Sequence, residues 1–317
     1  MSSKGEIKLK AELIVNLTAG GGKPQKYLNT VLQYLKENGL NFKVCTTSYH
    51  GEAVELAQKA ADNGVELIVS VGGDGTVNEI VNGIMKSKNN PPLGIIPLGW
   101  ANDFIKSTHI PSDIIEACKI LIQGKIKEID VGIINEKIYF ANICGVGFDA
   151  EVAQLANQMK SKHPNLHVLS AFVYVFATIK KLLSPFNYHQ VNIKFDGQEI
   201  HSKILFIAIS NGKFYGGRFK ITPEAILDDG LLEICTVEEM GRLKYLMSIP
   251  KVFKGTHESI KGINFYRAKK VTIQSSELIL AQVSGEVIEG QKEFSITLHP
   301  KSLKLIVPDE NTVIGDK

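Results

Sequence analysis

Short aliphatic runs alternate with amphipathic stretches between residues 11 and 130, and this alternation limits the fold more than any other feature of the chain. The aliphatic runs predict buried strands at 13–15, 42–46, 67–71 and 93–97. The intervening stretches predict helices around 28–35, at 52–63 and at 76–85. Repeated strand–helix units favour a mainly parallel sheet, so the first part of the chain is predicted to be an α/β domain.

Beyond residue 130 the pattern changes to short, turn-bounded runs, often of alternating polarity, as in a β-sandwich or barrel. These runs lie at 137–143, 190–195, 199–210, 231–236, 270–274, 278–283 and 293–299. Helices are predicted at 166–183 and 242–253, and a last strand at 302–307 that can pair with either domain. A length of 317 residues fits two domains better than one.

Bulk properties exclude several classes of protein. The four cysteines are far apart and form no Cys-x-x-Cys pair, so neither a disulfide framework nor a zinc site is expected. Residues 1–10 are polar and the most apolar stretch, 168–179, is too short to span a bilayer, so we expect a cytoplasmic protein. The net charge of +3 is too small to indicate nucleic acid binding.

Three polar or glycine-rich loops, 16–23, 72–76 and 99–103, follow predicted strand ends. Such loops converge in a doubly wound sheet. Because glycine permits close approach and a helix N-terminus attracts anions, 72–76 predicts a phosphate site rather than only a capped turn. No Walker A pattern is present. The run 20–23 is either a flexible loop or a second phosphate contact.

The segment 72–83, Gly-Gly-Asp-Gly-Thr-Val-Asn-Glu-Ile-Val-Asn-Gly, resembles the signature of the diacylglycerol kinase catalytic-domain family, which includes bacterial lipid kinases and the sphingosine and ceramide kinases. Other segments of the chain also resemble the family and occur in the family's order. They lie at 16–23, 97–104, 145–150, 216–225, 228–231 and 285–286. NAD kinases share the Gly-Gly-Asp-Gly loop, but Asn78-Glu79 and Asn102-Asp103-Phe104 favour a lipid kinase.

The resemblance implies a three-layer α/β nucleotide-binding domain and a C-terminal β-sandwich domain, with the active site in a cleft between them. It further implies ATP and Mg²⁺ as cofactors and a lipid alcohol, first of all diacylglycerol, as acceptor. In this family the last strand commonly returns to the first domain. The expected domains are therefore 1–130 joined by 302–317, and 131–301 for the lipid substrate.

Phosphoryl transfer needs a phosphate cradle, a metal and a group that orients or deprotonates the acceptor. The residues expected to bind nucleotide are Asn16, Thr47, Gly73, Gly75, Thr76, Asn78 and Asn102. Asp74, Asp103 and Glu286 are the expected catalytic residues: Asp74 either holds Mg²⁺ or takes the hydroxyl proton. The alternative for Asp103 is that it caps a helix beginning near Phe104.

In the second domain, the resemblance assigns Asp149 to the lipid head group, although an ordinary loop aspartate is an alternative. It also implies a magnesium site at Asp229 with the carbonyls of Ile226 and Leu231. Hard oxygen ligands suit Mg²⁺, but a β-turn explains the same residues.

Two departures from the family weaken the catalytic expectation. Ser284 stands where the family usually has an aspartate, assigned as general base in some relatives, and a hydroxyl is a poor base near neutrality. Trp100 stands where the family has threonine. Either Asp74 carries the base role, or activity is reduced, or the chain binds without catalysing. A small-molecule kinase resembling NAD kinase is the other alternative.

A lipid substrate requires contact with a membrane, and we expect a peripheral attachment to anionic lipid. The basic residues that favour it are Lys160, Lys162, Lys180, Lys181, Lys251, Lys254, Lys261, Arg267, Lys269 and Lys270. The helix at 168–183, bearing Phe172, Tyr174 and Phe176, either contacts lipid or acyl chain, or is buried in the sandwich core. The oligomeric state stays open, with a homodimer as one option.

Overall fold

The computed structural model describes residues 10–162 and 170–309. The chain divides into two compact units, residues 1–128 with 303–317, and residues 129–302. The first unit contains β1 Lys10–Val15, α1 Ala19–Glu37, β2 Asn41–Thr46, α2 Glu52–Asp62, β3 Leu67–Gly72, α3 Asp74–Lys86, β4 Leu93–Pro97, α4 Asp103–Thr108 and α5 Ile114–Gln123. Strand β5, Lys125–Ile134, leads from the first unit into the second.

The first unit is built on a parallel sheet. Its strand order is β2–β1–β3–β4, and residues 303–307 at the end of the last strand lie beside β4. Every residue of β3 and β4 is buried, which explains why their sequences are almost entirely apolar. The predicted α/β architecture is confirmed, and β1, β3 and β4 all end at one edge of the sheet.

The sequence predicted neither α5 nor β5, and α1 begins differently from the prediction. Helix α5 was not predicted, although Asp113 caps it by accepting hydrogen bonds from the N–H groups of Ile115 and Glu116. In α1, Gly20, Gly21 and Gly22 have left-handed backbone conformations, so the regular helix begins only after them. The first turn of α1 is therefore a glycine loop joined to a helix.

The second unit is mostly β. It contains β6 Ile138–Phe140, β7 Ile143–Gly147, α6 Phe148–Lys162, α7 Ser170–Leu183, β8 His189–Phe195, β9 Gln198–Ser210, β10 Phe214–Tyr215, β11 Phe219–Lys220, β12 Leu232–Glu238, α8 Arg242–Lys254, β13 Ile263–Ala268, β14 Lys270–Val283 and β15 Glu286–Val307. The long strands β9 and β14 each pair with β8 near one end and with β7 near the other. Their inward side chains form an aliphatic core, as the predicted sandwich requires.

Several predicted boundaries in this unit are wrong. The predicted strand 137–143 is two strands, because the chain turns between Phe140 and Ile143. The predicted strands 270–274 and 278–283 are one strand, β14, whose register against β15 shifts in the middle. Helix α6 and strand β13 were missed. Of the predicted helix 166–183, the part at 166–169 lies outside the described residues. No helix among the described residues has the length and hydrophobicity to cross a bilayer.

Candidate active site

Three loops come together at the carboxyl edge of the first unit's sheet, and we call them the glycine-rich site: residues 16–23, 72–76 and 98–103. The side-chain amide of Asn16 donates a hydrogen bond to Oγ1 of Thr76 over 3.2 Å. Nζ of Lys23 donates to the carbonyl oxygen of Gly99 over 3.1 Å. The convergence that the sequence predicted from the strand ends is therefore present.

The glycines let these loops pack backbone against backbone. A Cβ on Gly99 would lie 2.5 Å from Cα of Gly73, and one on Gly20 would lie 2.1 Å from the carbonyl oxygen of Leu98. A Cβ on Gly75 would meet nothing within 4 Å. The site therefore combines tightly packed loops with open space at the first turn of α3, where a helix N-terminus favours an anion.

Asp74 is the first residue of α3, and its carboxylate reaches a second element. Its Oδ1 accepts a hydrogen bond from the N–H of Phe104 over 3.0 Å, at the start of α4. Burial and the charge of Asp103 raise the pKa of Asp74 to about 6, while the backbone N–H groups and Lys106 act in the opposite direction. Asp74 is thus a carboxylate that titrates close to neutrality.

Asp103 pairs with a lysine. Nζ of Lys106 lies 2.7 Å from Oδ1 of Asp103 and 2.8 Å from the carbonyl oxygen of Ala101. The alternative that Asp103 caps the helix is wrong, because Asn102 occupies the cap position and it is Asp74 that accepts the Phe104 N–H. Two carboxylates from different loops therefore lie near one another, with one cation beside them.

Of the other residues expected to bind nucleotide, Thr76 and Asn78 are buried in α3. Asn102, in a left-handed conformation, accepts the N–H of Gly99 over 3.0 Å, so its side chain shapes the loop 99–102. Thr47 follows β2, and its N–H donates to the carbonyl oxygen of Val15 over 2.9 Å. Thr47 therefore lies at the margin of the site, beside the end of β1.

Trp100 lies at the surface of the glycine-rich site. Its side chain is 47% exposed, and Nζ of Lys23 lies 5.2 Å from its ring centroid. This is a cation–π contact across two loops. The Trp100 ring therefore packs against Lys23 of the neighbouring loop.

A second polar group lies in the second unit, and we call it the Asp149 cluster: Asp149, Tyr215, Gln282, Ser284 and Gly285. Oδ1 of Asp149 accepts a hydrogen bond from the Tyr215 hydroxyl over 2.5 Å, and Oδ2 accepts one from Nε2 of Gln282 over 2.6 Å. Burial raises the pKa of Asp149, although these two donors oppose the rise. Gln282 also accepts the N–H of Gly285 over 2.8 Å, so it ties Asp149 to the turn.

Ser284 and Gly285 form the two-residue turn that joins β14 to β15. Both have positive φ, 52° and 86°, as a type I′ hairpin requires. Nδ2 of Asn157 donates to the carbonyl oxygen of Gly285 over 3.1 Å, which fixes the turn against α6. Glu286 opens β15 directly after the turn and pairs with Val283. Aspartate or asparagine suits the first turn position better than serine does.

The predicted magnesium site lies in an exposed turn. Oδ1 of Asp229 accepts the N–H of Leu231 over 3.0 Å, and Ile226 is exposed nearby in sequence. The N–H of Gly230 donates to Oδ2 of the buried Asp130 over 2.7 Å. These hydrogen bonds are those of a β-turn. Carboxylate and carbonyl oxygens are also the ligands that Mg²⁺ prefers, so the metal site stays a prediction.

Family models match both units of the chain. Residues 10–134 match the diacylglycerol kinase catalytic domain. Residues 142–307 match the YegS C-terminal NAD kinase beta sandwich-like domain. A diacylglycerol kinase from Bacillus subtilis is 30% identical over 278 residues, covering 87% of this chain and 89% of the relative. The chain belongs to the diacylglycerol kinase family.

Solved structures agree with this family assignment. A crystal structure of a diacylglycerol kinase from Bacillus anthracis superimposes with a TM-score of 0.74 at 25% identity, covering 96% of this chain and 98% of that one. Another chain from that organism, solved as a candidate diacylglycerol kinase, gives a TM-score of 0.82 at 27% identity, with 99% and 100% covered. A Staphylococcus carnosus diacylglycerol kinase is 30% identical over 285 residues, 88% of this chain and 89% of the relative.

Sequence reasoning missed several residues of this family member's two sites. Gln282 is one, although a polar residue between Ala281 and Val283 in a buried apolar run is itself a signal, since buried polar groups need partners. Lys23 and Lys106 were not singled out as partners of the loops. The spacing of Lys106 three residues after Asp103 was an available signal, since such residues are neighbours on a helix. The partner of Lys23, the carbonyl oxygen of Gly99, is brought near only by the fold.

Proposed function

We propose that the chain is a lipid kinase that transfers the γ-phosphoryl group of ATP to the hydroxyl group of a diacylglycerol, with Mg²⁺ as cofactor. Membership of the family supports the reaction class. The observation that carries the proposal is Asp74, a carboxylate with a pKa of about 6 at the first turn of a glycine-bounded helix. Such a group can neutralise metal charge or accept a proton near neutral pH.

The glycine-rich site supplies the nucleotide side of this reaction. The first turn of α3 and Lys23 offer positive charge to phosphate oxygens. The donor chemistry suits Mg²⁺, because Asp74 and Asp103 repel one another, and a divalent cation held by Asp103 would relieve that repulsion and leave Asp74 able to accept a proton. When bound, Mg²⁺ would neutralise charge on the transferred phosphoryl group. The hydrogen bond from the N–H of Phe104 fixes the orientation of the Asp74 carboxylate.

The second unit supplies the acceptor side. We assign the lipid head group to Asp149, whose carboxylate is oriented by Tyr215 and Gln282. Since Ser284 lacks a basic group, the acceptor proton goes to Asp74 in this chain. The substrate resides in a bilayer, so the protein works as a peripheral protein at the cytoplasmic side of a membrane.

A lipid panel tests the proposal. Radiolabelled ATP is incubated with mixed micelles that contain diacylglycerol, monoacylglycerol, sphingosine or ceramide, with soluble NAD as a separate acceptor. We expect labelled phosphate on diacylglycerol and none on NAD. Nucleotide binding without any labelled lipid would support a non-catalytic relative, which Ser284 favours, and labelled NAD would support a small-molecule kinase.

Trp100 gives a direct test of nucleotide binding, because it is the single tryptophan of the chain. It stacks with Lys23 at the glycine-rich site, so phosphate binding at Lys23 will disturb the ring. We expect a saturable change in tryptophan emission when ATP is added. Lys23→Met should weaken the apparent affinity about tenfold or more. Free tryptophan corrects for absorption by the nucleotide, and an unchanged emission at saturating ATP would contradict the placement.

Because we assign the acceptor proton to Asp74, Ser284→Asp is expected to leave the turnover number nearly unchanged, whereas supplying a general base that the chain lacks would raise it roughly a hundredfold or more. Aspartate also tolerates the left-handed conformation of position 284, so the fold should be retained. Ser284→Asn is the matched control, since asparagine fits the same turn but cannot accept the proton. Equal turnover in wild type and both variants would mean that Asp74 fills the base role alone.

A further inference from the structure

Helix α7 exposes an apolar face. Its exposed side chains recur at spacings of three and four residues: Phe172 66%, Val175 58%, Phe176 56%, Ile179 50% and Leu183 76%. Val173 and Ala177 face the other way and are buried in the core of the second unit. The alternative that this helix is enclosed in the sandwich core is therefore wrong for Phe172 and Phe176. One face of α7 is in the core and the other is apolar in water, which is unusual for a surface helix.

Helix α8 shows the same arrangement. Leu243, Leu246 and Met247 are 72%, 47% and 69% exposed, while Tyr245 packs against Phe148 beneath them. The two helices pack on one core cluster. They also touch, since Nη1 of Arg242 at the start of α8 donates to the carbonyl oxygen of Leu183 at the end of α7 over 3.4 Å. We call these exposed residues of both helices the α7–α8 surface.

The charge on the two helices has one sign. Neither helix contains an aspartate or glutamate. Their basic residues are Lys180, Lys181, Arg242, Lys244, Lys251 and Lys254. Lys181 forms an ion pair with Glu151 of α6, over 2.8 Å, so part of its charge is balanced. Exposed aromatic and aliphatic side chains beside basic residues are the composition of helices that lie in a lipid interface.

We propose that the α7–α8 surface docks the protein onto an anionic lipid bilayer. The apolar side chains enter the head-group region, and each basic residue near the surface strengthens binding roughly fivefold. A second copy of the chain fits this surface less well, because two such faces would oppose like charges. The inference rests on the proposed function in one respect: the proposed substrate, a diacylglycerol, is embedded in such a bilayer.

Vesicle sedimentation tests the docking surface without any kinase step. Vesicles of phosphatidylcholine, alone or mixed with phosphatidylglycerol, are used without diacylglycerol and without nucleotide. We expect at least tenfold stronger binding to the mixed vesicles, and at least a tenfold loss for Phe172→Ser combined with Phe176→Ser. Lys180→Glu with Lys254→Glu should remove the preference for anionic lipid. Leu278→Ser is the matched control, since Leu278 is as exposed as Phe172 but lies on β14.

Three results would overturn the proposal: unchanged vesicle binding by the phenylalanine pair variant, an equal loss by Leu278→Ser, or self-association of the wild type that the pair variant abolishes. Should the pair variant not fold, Leu243→Ser with Met247→Ser makes the same test on α8. Phosphorylation of a short-chain, water-soluble diacylglycerol should be unchanged in these variants. Vesicle binding without such phosphorylation would reject the proposed function alone, and the reverse would reject the docking surface alone.

Discussion

Asp74→Asn is expected to abolish phosphoryl transfer and to stabilise the folded chain at neutral pH. Activity should fall by about a hundredfold or more, because asparagine can neither accept a proton nor balance a metal charge. The fold should persist, since the Oδ1 of asparagine can still accept the N–H of Phe104. A radiolabel assay on the preferred lipid measures the first effect, and urea unfolding measures the second.

The stability change has a defined dependence on pH. The pKa of Asp74 rises from 3.8 in the unfolded chain to about 6 in the folded one, so the folded state binds more protons between these values. The contribution of Asp74 to wild-type stability therefore falls as pH increases from about 4 to 6 and stays lower above that range. The Asp74→Asn variant has no carboxylate to ionise in the folded state. We therefore expect its free energy of unfolding to exceed that of the wild type by roughly 2–3 kcal/mol at about pH 7.5 and to differ little at about pH 4.

Glu289→Gln is the control for the loss of one negative charge, because Glu289 is an exposed carboxylate on β15. It should change neither activity nor the pH dependence of unfolding by a measurable amount. A destabilised Asp74→Asn variant at neutral pH would show that the carboxylate is favourably charged in the fold. That result would remove the basis for a proton-accepting role near neutrality.

Gly20→Ala is expected to have the second large effect, a loss of about 3 kcal/mol or more in the free energy of unfolding together with loss of nucleotide binding. Gly20 has a φ of +57°, and its new Cβ would lie 2.1 Å from the backbone oxygen of Leu98. The cost is therefore that of the left-handed conformation plus that of forcing two loops apart. Urea unfolding and the Trp100 emission titration measure the two effects.

Gly22→Ala separates these two contributions. Gly22 also has a positive φ, +88°, but a Cβ there would meet only Oε1 of Gln25 at 3.7 Å. We expect it to lose about 1 kcal/mol and to retain nucleotide binding. If both variants behaved alike, the approach of the loop at Gly20 to Leu98 would not be what holds the glycine-rich site together.

The sequence was sufficient for the inner strands of the parallel sheet, because β3 and β4 are buried on both faces and therefore almost entirely apolar. It failed for α5, whose sequence is rich in isoleucine, a β-branched residue that is also common in strands. Asp113, three residues before Glu116, was an available signal for the start of that helix. Chain turns such as the one after Phe140 depend on packing partners that are distant in sequence.

The candidate sites were predictable in their backbone and much less so in their side chains. Strand ends and glycines located the loops, because their convergence follows from sheet topology. The contact between Asp74 and the N–H of Phe104 joins residues on two different loops. Likewise, Gln282 can link Asp149 to the turn at Ser284 only because β14 lies beside β7 in the fold.

The return of residues 303–307 to the first unit has a consequence for how the protein is made. These residues lie beside β4, and Leu303 and Leu305 are fully buried. A ribosome releases the rest of the first unit long before it releases this strand, so the nascent sheet has an unpaired edge at β4 during synthesis of the second unit. Completion of the first unit therefore waits for nearly the whole chain to be translated, and premature termination would leave an aggregation-prone edge.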